Sequence, residues 1–198
     1  GNGNNTDVTN LLPGTTYYFE VFEFNGSGST TKYLTTSTAT GNRATVSAPT
    51  VGASTFSVSN VSATQATISW TNGNGEGRLV LIRATDAVNA TPVNLTGYTP
   101  NTVFASGAQP AAGNYVIYAG TGSSVTVTGL TGGQNYHVAV VEYNGNNAPV
   151  YITNPLRGSF VTIGAPATAT TNLICTPYAA DSVRLQWNNG SGQYRIVL

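Results

Sequence analysis

Trp70 is followed by TNGNGEGRLVL (residues 71–81) and Trp187 by NNGSGQYRIVL (188–198), the same turn-rich stretch, single Arg and apolar run set 117 positions apart. Ala48-Pro49 and Ala165-Pro166 keep that spacing, as do Arg78 and Arg195, so the front of the unit repeats without a gap. Its back half repeats too. Leu11, Gly14, Tyr17, Glu23, Asn25 and Gly26 return as Leu130, Gly133, Tyr136, Glu142, Asn144 and Gly145, each 119 positions on. The two-residue difference falls after Asn25-Gly26, in a turn region where insertions are tolerated. A repeat at fixed period signals an array of similar units. The expected organisation is the C-terminal half of a unit at 1–47, a complete unit at 48–164 and the N-terminal part of a third at 165–198. Both ends are expected to be interior to a longer polypeptide.

Only 7% of the residues are charged and the formal net charge is zero. Seven Lys and Arg scattered over 198 residues do not make the basic stripe that phosphate binding requires, which argues against nucleic acid as a partner. No stretch approaches the roughly 18 apolar residues of a membrane span, and no signal peptide is visible. A single cysteine rules out a disulfide framework within these residues. It is Cys175, which occupies the place of Val58 in the preceding unit and reads as a buried, inert strand residue.

Alternation of apolar and polar residues marks Thr67–Trp70, Ser124–Thr128 and Tyr136–Val140 as half-buried antiparallel strands, and no segment keeps a helical period. Asn-Gly steps at Asn25, Asn72, Asn74, Asn144 and Asn189 supply residues tolerant of positive φ for tight turns. Within 48–164 the expected strands lie near 54–59, 65–71, 77–84, 114–119, 123–128, 135–143 and 157–163. Seven short strands punctuated by turns predict an all-β antiparallel sandwich. Leu-x-x-Gly-x-x-Tyr at Leu11/Gly14/Tyr17 and Leu130/Gly133/Tyr136 predicts a tyrosine corner, in which the phenol pairs with backbone upstream of its own strand.

Trp70 and Trp187 on the second strand of their units, with Leu11-Leu12-Pro13-Gly14-Thr15-Thr16-Tyr17, resemble the marks of fibronectin type III domains. Thr131-Gly132 replace Leu12-Pro13 in the next unit without moving the Leu or the Tyr. More narrowly, TNGNGEGRLVLIRA, NYVIYAGTGSSVTVTGL and the FEFNG/VEYNG ends look like a long variant found in tandem in secreted and cell-surface proteins of Bacteroidota. The resemblance implies an extracellular bacterial setting, in an adhesin, fibre or stalk or as a spacer beside catalytic or carbohydrate-binding modules, in proteins many of which leave by the type IX route.

The unit exceeds the roughly 100 residues of a related sandwich. The excess lies in an excursion from Thr85 to Pro110, where Tyr98 and Phe104 are candidate anchors. If Arg78, Val80 and Ile82 point inward, Leu79 and Leu81 point outward beside Val141 and Tyr143. The excursion is expected to fold over this outer patch through Tyr98 and Phe104. Otherwise Leu79, Leu81, Tyr98, Phe104, Tyr115, Tyr118 and Tyr143 are candidates for contact with another surface.

Glu142 shares a strand face with Tyr136, Val138 and Val140, and Arg78 starts the strand expected to run near its end. A cross-sheet ion pair is the expectation, repeated through Glu23 and Arg195. Glycoside hydrolysis needs two carboxylates facing one cleft, whereas the unit repeats one. His137 replaces Tyr18 and reads as a surface strand position; Asp7, Asp86 and Asp181 have no calcium-loop spacing. Gly73-x-Gly75-x-Gly77 joins two strands and reads as turn chemistry rather than a phosphate loop. No catalytic residue, metal or cofactor is therefore expected. The structural residues are Trp70, Trp187, Leu11, Tyr17, Leu130, Tyr136, Arg78 and Glu142.

Sequons at Asn4, Asn25, Asn60, Asn89, Asn94 and Asn189 occur about as often as so Asn/Ser/Thr-rich a chain produces by chance. The favoured reading is a non-catalytic structural or interaction segment of a large extracellular repeat protein. Its partners are neighbouring repeats, joined by short Pro-stiffened linkers such as Val46–Thr50, and either other copies in a fibre or a surface glycan. The rival readings are a carbohydrate-binding repeat using Tyr98, Tyr115 and Tyr118, and a passive spacer within a secreted enzyme.

Overall fold

The computed structural model describes residues 3–198. In chain order the strands are β1 (Thr16–Val21), β2 (Phe24–Asn25), β3 (Lys32–Tyr33), β4 (Ala39–Ala44), β5 (Ser54–Ser59), β6 (Gln65–Thr71) and β7 (Gly77–Ala84). They continue as β8 (Tyr115–Gly120), β9 (Ser124–Thr128), β10 (Asn135–Asn144), β11 (Val150–Tyr151), β12 (Leu156–Val161), β13 (Thr171–Ala179) and β14 (Ser182–Asn188). The expected strands of 48–164 recur within a residue or two. The two-residue strand β11 was not anticipated, because nothing in so short a run carries a period.

Within 48–164, β5, β6 and β9 form one antiparallel sheet in that order. The other runs β8-β7-β10, with β12 and β11 both paired to β10. Inward residues of both sheets meet in one core: Ala66, Ile68 and Trp70 from β6, Val125 and Val127 from β9, Val80 and Ile82 from β7, and Tyr136, Val138 and Val140 from β10. This is an antiparallel β-sandwich. Tyr136 closes it with the predicted corner: its hydroxyl accepts the Thr131 N–H at 2.9 Å, and Tyr17 accepts the Leu12 N–H at 2.8 Å. A threonine just past the last strand reinforces each corner, Thr162 Oγ1 donating to Thr131 O and Thr45 Oγ1 to Leu12 O, both at 2.6 Å.

A second apolar cluster lies on the outer face of the larger sheet, where Leu79, Leu81, Val116, Ala139 and Val141 are covered by Val88, Ala90, Tyr98 and Tyr151. The excursion does fold over the patch, through Tyr98 but not through Phe104. Phe104 enters the inter-sheet core instead, edge-on to Tyr115 at 5.3 Å and to Tyr136 at 5.1 Å. The backbone forces this placement, because Phe104 N–H donates to Thr128 O and Thr128 N–H to Thr102 O, tying residues 102–104 to β9. With both faces covered, β10 is buried almost continuously from Val138 to Glu142 rather than half-buried. Asn114, fully buried, clamps the excursion by donating to Asn89 Oδ1 and accepting from the Asn89 and Ala90 N–H groups.

The flanking segments repeat these pairings. Strand β1 pairs β4 from Thr16↔Ala44, as β10 pairs β12 from Asn135↔Val161. Cys175↔Leu185 in β13–β14 copies Val58↔Ile68 in β5–β6. Neither segment meets a second sheet, so β4 and β13 are exposed throughout. Cys175 is exposed accordingly, contrary to its expected burial, because the strand bearing it has no covering layer.

Candidate functional site

Arg78 and Glu142 are directly opposed on β7 and β10, with Arg78 Nε donating to Glu142 Oε1 at 2.9 Å and both side chains buried. They are neighbours within one sheet, which corrects the cross-sheet expectation. A buried pair stabilises only when its remaining donors and acceptors are also satisfied. Here the loop between β6 and β7 supplies them. Gly73 N–H donates to Glu142 Oε1 at 2.8 Å and Gly75 N–H to Oε2 at 3.0 Å, a backbone nest around the carboxylate. Arg78 donates onward to the Gly73, Gly75 and Thr121 carbonyls.

That loop is glycine-rich because of close approach, not positive φ. A Cβ on Gly73 would lie 2.2 Å from Val51 O, and one on Gly75 2.6 Å from Glu142 Oε2. Gly26 and Gly145, both at φ 86°, are the Asn-Gly glycines that do adopt the left-handed region. The nest therefore escaped the sequence reading. Its only signal was the coincidence of repeated glycines with a repeated Arg and Glu.

Beside the nest, Asn74 holds the chain entering the unit. Its Oδ1 accepts from the Thr50 and Val51 N–H groups at 3.1 and 2.9 Å, and its Nδ2 donates to Thr50 Oγ1 at 2.9 Å. Ser191, the counterpart of Asn74, accepts from the Ala167 and Thr168 N–H groups at 2.8 and 3.0 Å. Asn144 Nδ2 also donates to Ser47 O at 3.0 Å, and from the preceding segment Gly14 N–H donates to Val46 O at 2.8 Å, so the Val46–Thr50 linker is held from both sides.

Of the candidates for surface contact, Leu79 and Leu81 are buried and unavailable. Tyr118 packs edge-on against Trp70 at 5.6 Å, Tyr115 against Phe104, and Tyr143 against Tyr151 at 5.8 Å. Tyr98 covers the outer patch with its hydroxyl accepting the Val93 N–H. Burial holds the Tyr143 hydroxyl protonated above the usual phenol range, and does so more strongly for Tyr151, where Tyr98 and Tyr143 add to the effect. His137 is half-buried on β10, an interior strand paired on both edges, with its Nε2 2.9 Å from Asn135 Nδ2. Leu130 and Tyr136 are buried as the corner requires, whereas Leu11, Tyr17 and Trp187 are half-buried. Glu23 is exposed, and Arg195 reaches Gly190 O at 3.0 Å as Arg78 reaches Gly73 O. Among the described residues no three His, Cys, Asp or Glu side chains cluster in a metal-binding arrangement. No helix among them is long and apolar enough to cross a membrane.

No family model matches the sequence, and no curated protein matches it. Among solved structures, a computationally redesigned β-sandwich protein is similar at 18% identity, covering 57% of this chain and 90% of that one with a TM-score of 0.40. The FN3 domain of human collagen XX is 18% identical, covering 57% of this chain and 91% of its own with a TM-score of 0.35. The chicken CNTN1 FN1–FN3 domains are 19% identical over 77% of this chain and 44% of theirs, with a TM-score of 0.43.

Proposed function

We propose that the chain is a non-catalytic load-bearing and spacing segment of a large extracellular bacterial repeat protein, an adhesin, stalk or filament. Its units divide at 47/48 and 164/165. The observation that carries this reading is the joint: the same backbone pair is clipped by Asn74 at one unit entrance and by Ser191 at the next. Short linkers held on both sides transmit orientation from unit to unit, which a spacer of defined shape requires and a flexible tether does not. Support also comes from the repeated ionisable groups. Each contact of Arg78 and Glu142 goes to the fold, leaving neither carboxylate oxygen free for acid-base work.

The carbohydrate-binding alternative relied on Tyr98, Tyr115 and Tyr118, whose rings pack within this unit. Immunolabelling of intact cells with antibodies to residues 48–164 tests the proposal. Labelled surface fibres or stalks are the expected result; label only after cell disruption would overturn it. A glycan array probed with the same unit is expected to be blank.

A further inference from the structure

Three Asn-Gly steps fall between 48 and 164, at Asn72-Gly73, Asn74-Gly75 and Asn144-Gly145. Asparagine is among the thermolabile residues, and most so before glycine, where no side chain hinders cyclisation. The glycine nitrogen attacks the asparagine Cγ, closing a succinimide and expelling the side-chain nitrogen as ammonia. Water then opens the ring to aspartate or, at the other carbonyl, to isoaspartate, which carries an extra methylene in the main chain. The fold cannot avoid these steps. A Cβ on Gly73 would lie 2.2 Å from Val51 O and one on Gly75 2.6 Å from Glu142 Oε2, while Gly145 stands at φ 86°. Two of the asparagines, Asn74 and Asn144, are also the side chains that hold the Val46–Thr50 linker.

We propose that Glu142 and Glu76 shield these three steps from deamidation, each carboxylate holding the glycine nitrogen that would have to attack. Gly73 N–H donates to Glu142 Oε1 at 2.8 Å, Gly75 N–H to Glu142 Oε2 at 3.0 Å and Gly145 N–H to Glu76 Oε2 at 2.8 Å. Attack requires that this proton leave and that the nitrogen turn its lone pair toward Cγ. A carboxylate is far too weak a base to take an amide proton, and its negative charge raises the energy of the nitrogen anion. The electrophilic side is held as well. Asn74 Oδ1 accepts from the Thr50 and Val51 N–H groups, Asn144 Oδ1 accepts the Glu76 N–H at 3.0 Å, and Asn72 Nδ2 donates to Thr121 O at 3.4 Å. Glu76 and Asn144-Gly145 thus form a reciprocal clasp between the β6–β7 loop and the turn after β10. The inference rests on this geometry and is independent of the extracellular reading.

The shield bears directly on the joint. Conversion of Asn74 to aspartate removes the Nδ2 donor to Thr50 Oγ1, and isoaspartate there displaces Gly75 N–H from Glu142. Conversion of Asn144 removes the donor to Ser47 O. The carboxylates that brace the fold thereby also slow its chemical ageing.

The test ages the whole 198-residue chain in neutral buffer and follows each site by peptide mass mapping, with the same chain in urea as the unprotected reference. All three sites are expected to deamidate at least about tenfold more slowly in the folded chain, the scale of a charge-assisted hydrogen bond. Folding alone would slow every site, so two variants separate the sources. Glu76→Ala, at an exposed position, is expected to speed Asn144 by a similar factor and leave Asn72 and Asn74 unchanged. Glu142→Gln, which leaves one acceptor for two N–H groups, is expected to speed Asn72 or Asn74 and leave Asn144 unchanged. No acceleration at the sites facing the altered carboxylate, equal acceleration at all three, or folded rates matching those in urea would each overturn the proposal.

Discussion

Glu142 and Arg78 face each other across β10 and β7 with a 2.9 Å hydrogen bond, and the glycine loop before β7 closes over the pair. Removing the carboxylate strands a buried guanidinium and two loop N–H groups. Glu142→Ala should therefore lower stability by about 3–5 kcal/mol, the scale for breaking a buried pair. Glu142→Gln should fall between, since its amide oxygen retains one acceptor. Urea unfolding followed by circular dichroism measures both; a loss under about 1 kcal/mol for Glu142→Ala would contradict the cradle.

Gly73 offers a second view of the same loop. An added methyl meets the Val51 carbonyl at 2.2 Å, and backbone cannot move aside as a side chain can. Gly73→Ala should destabilise by about 1–3 kcal/mol, the range for overpacking, and should loosen the entering strand. Unchanged protection of the Asn74 N–H, which donates to Val51 O, would show the loop to be more adaptable than its contacts imply.

At the joint, Ser191 performs with a hydroxyl what Asn74 performs with an amide. Asn74→Ser should accordingly be close to neutral. Asn74→Ala leaves two N–H groups without their acceptor, for a cost of about 1 kcal/mol that is local to the joint. The readout is limited proteolysis: Asn74→Ala should speed cleavage within Val46–Thr50 while the unfolding midpoint of the complete unit stays put. Equal cleavage of both variants would remove the joint's claim to stiffness.

Tyr151 keeps its proton well beyond the usual phenol range because burial penalises the phenolate, with Tyr98 and Tyr143 adding to the penalty. The unfolded chain gives up that proton near the reference pKa of about 10. Stability from this group is therefore complete below that pH and falls as pH rises toward the folded value. Urea midpoints should decline above about pH 10, and Tyr151→Phe should decline less steeply, after an initial cost from losing the 2.9 Å bond to Thr96 O. Parallel slopes for the two proteins would place the alkaline sensitivity elsewhere.

Legibility followed periodicity. Strands β5, β6, β7 and β10 were readable because alternation and turn residues are local, and both tyrosine corners because a fixed short spacing carries them. The ion pair was legible as a pair, since Arg and Glu recur together. The register that sets them directly opposite was not, because cross-strand register is a long-range property. Phe104 shows the limit most plainly: composition made it an anchor, but the hydrogen bonds from Phe104 N–H to Thr128 O and from Thr128 N–H to Thr102 O chose which core it entered. Asn114 carried no signal at all, as a lone Asn in a turn-rich chain has no period to betray its burial.

The amino-acid sequence by itself determined the recurrence of its motifs at spacings of 117 and 119 positions and the antiparallel strands, because alternation, turn chemistry and recurrence are written along the chain. Only the tertiary structure decided that the Gly73–Gly75 loop is a carboxylate cradle, that the excursion covers one face with Tyr98 while sending Phe104 to the other, and that the entering linker is clipped by Asn74. Those outcomes depend on which backbone donors and apolar faces come together from residues dozens of positions apart. No local pattern encodes that meeting.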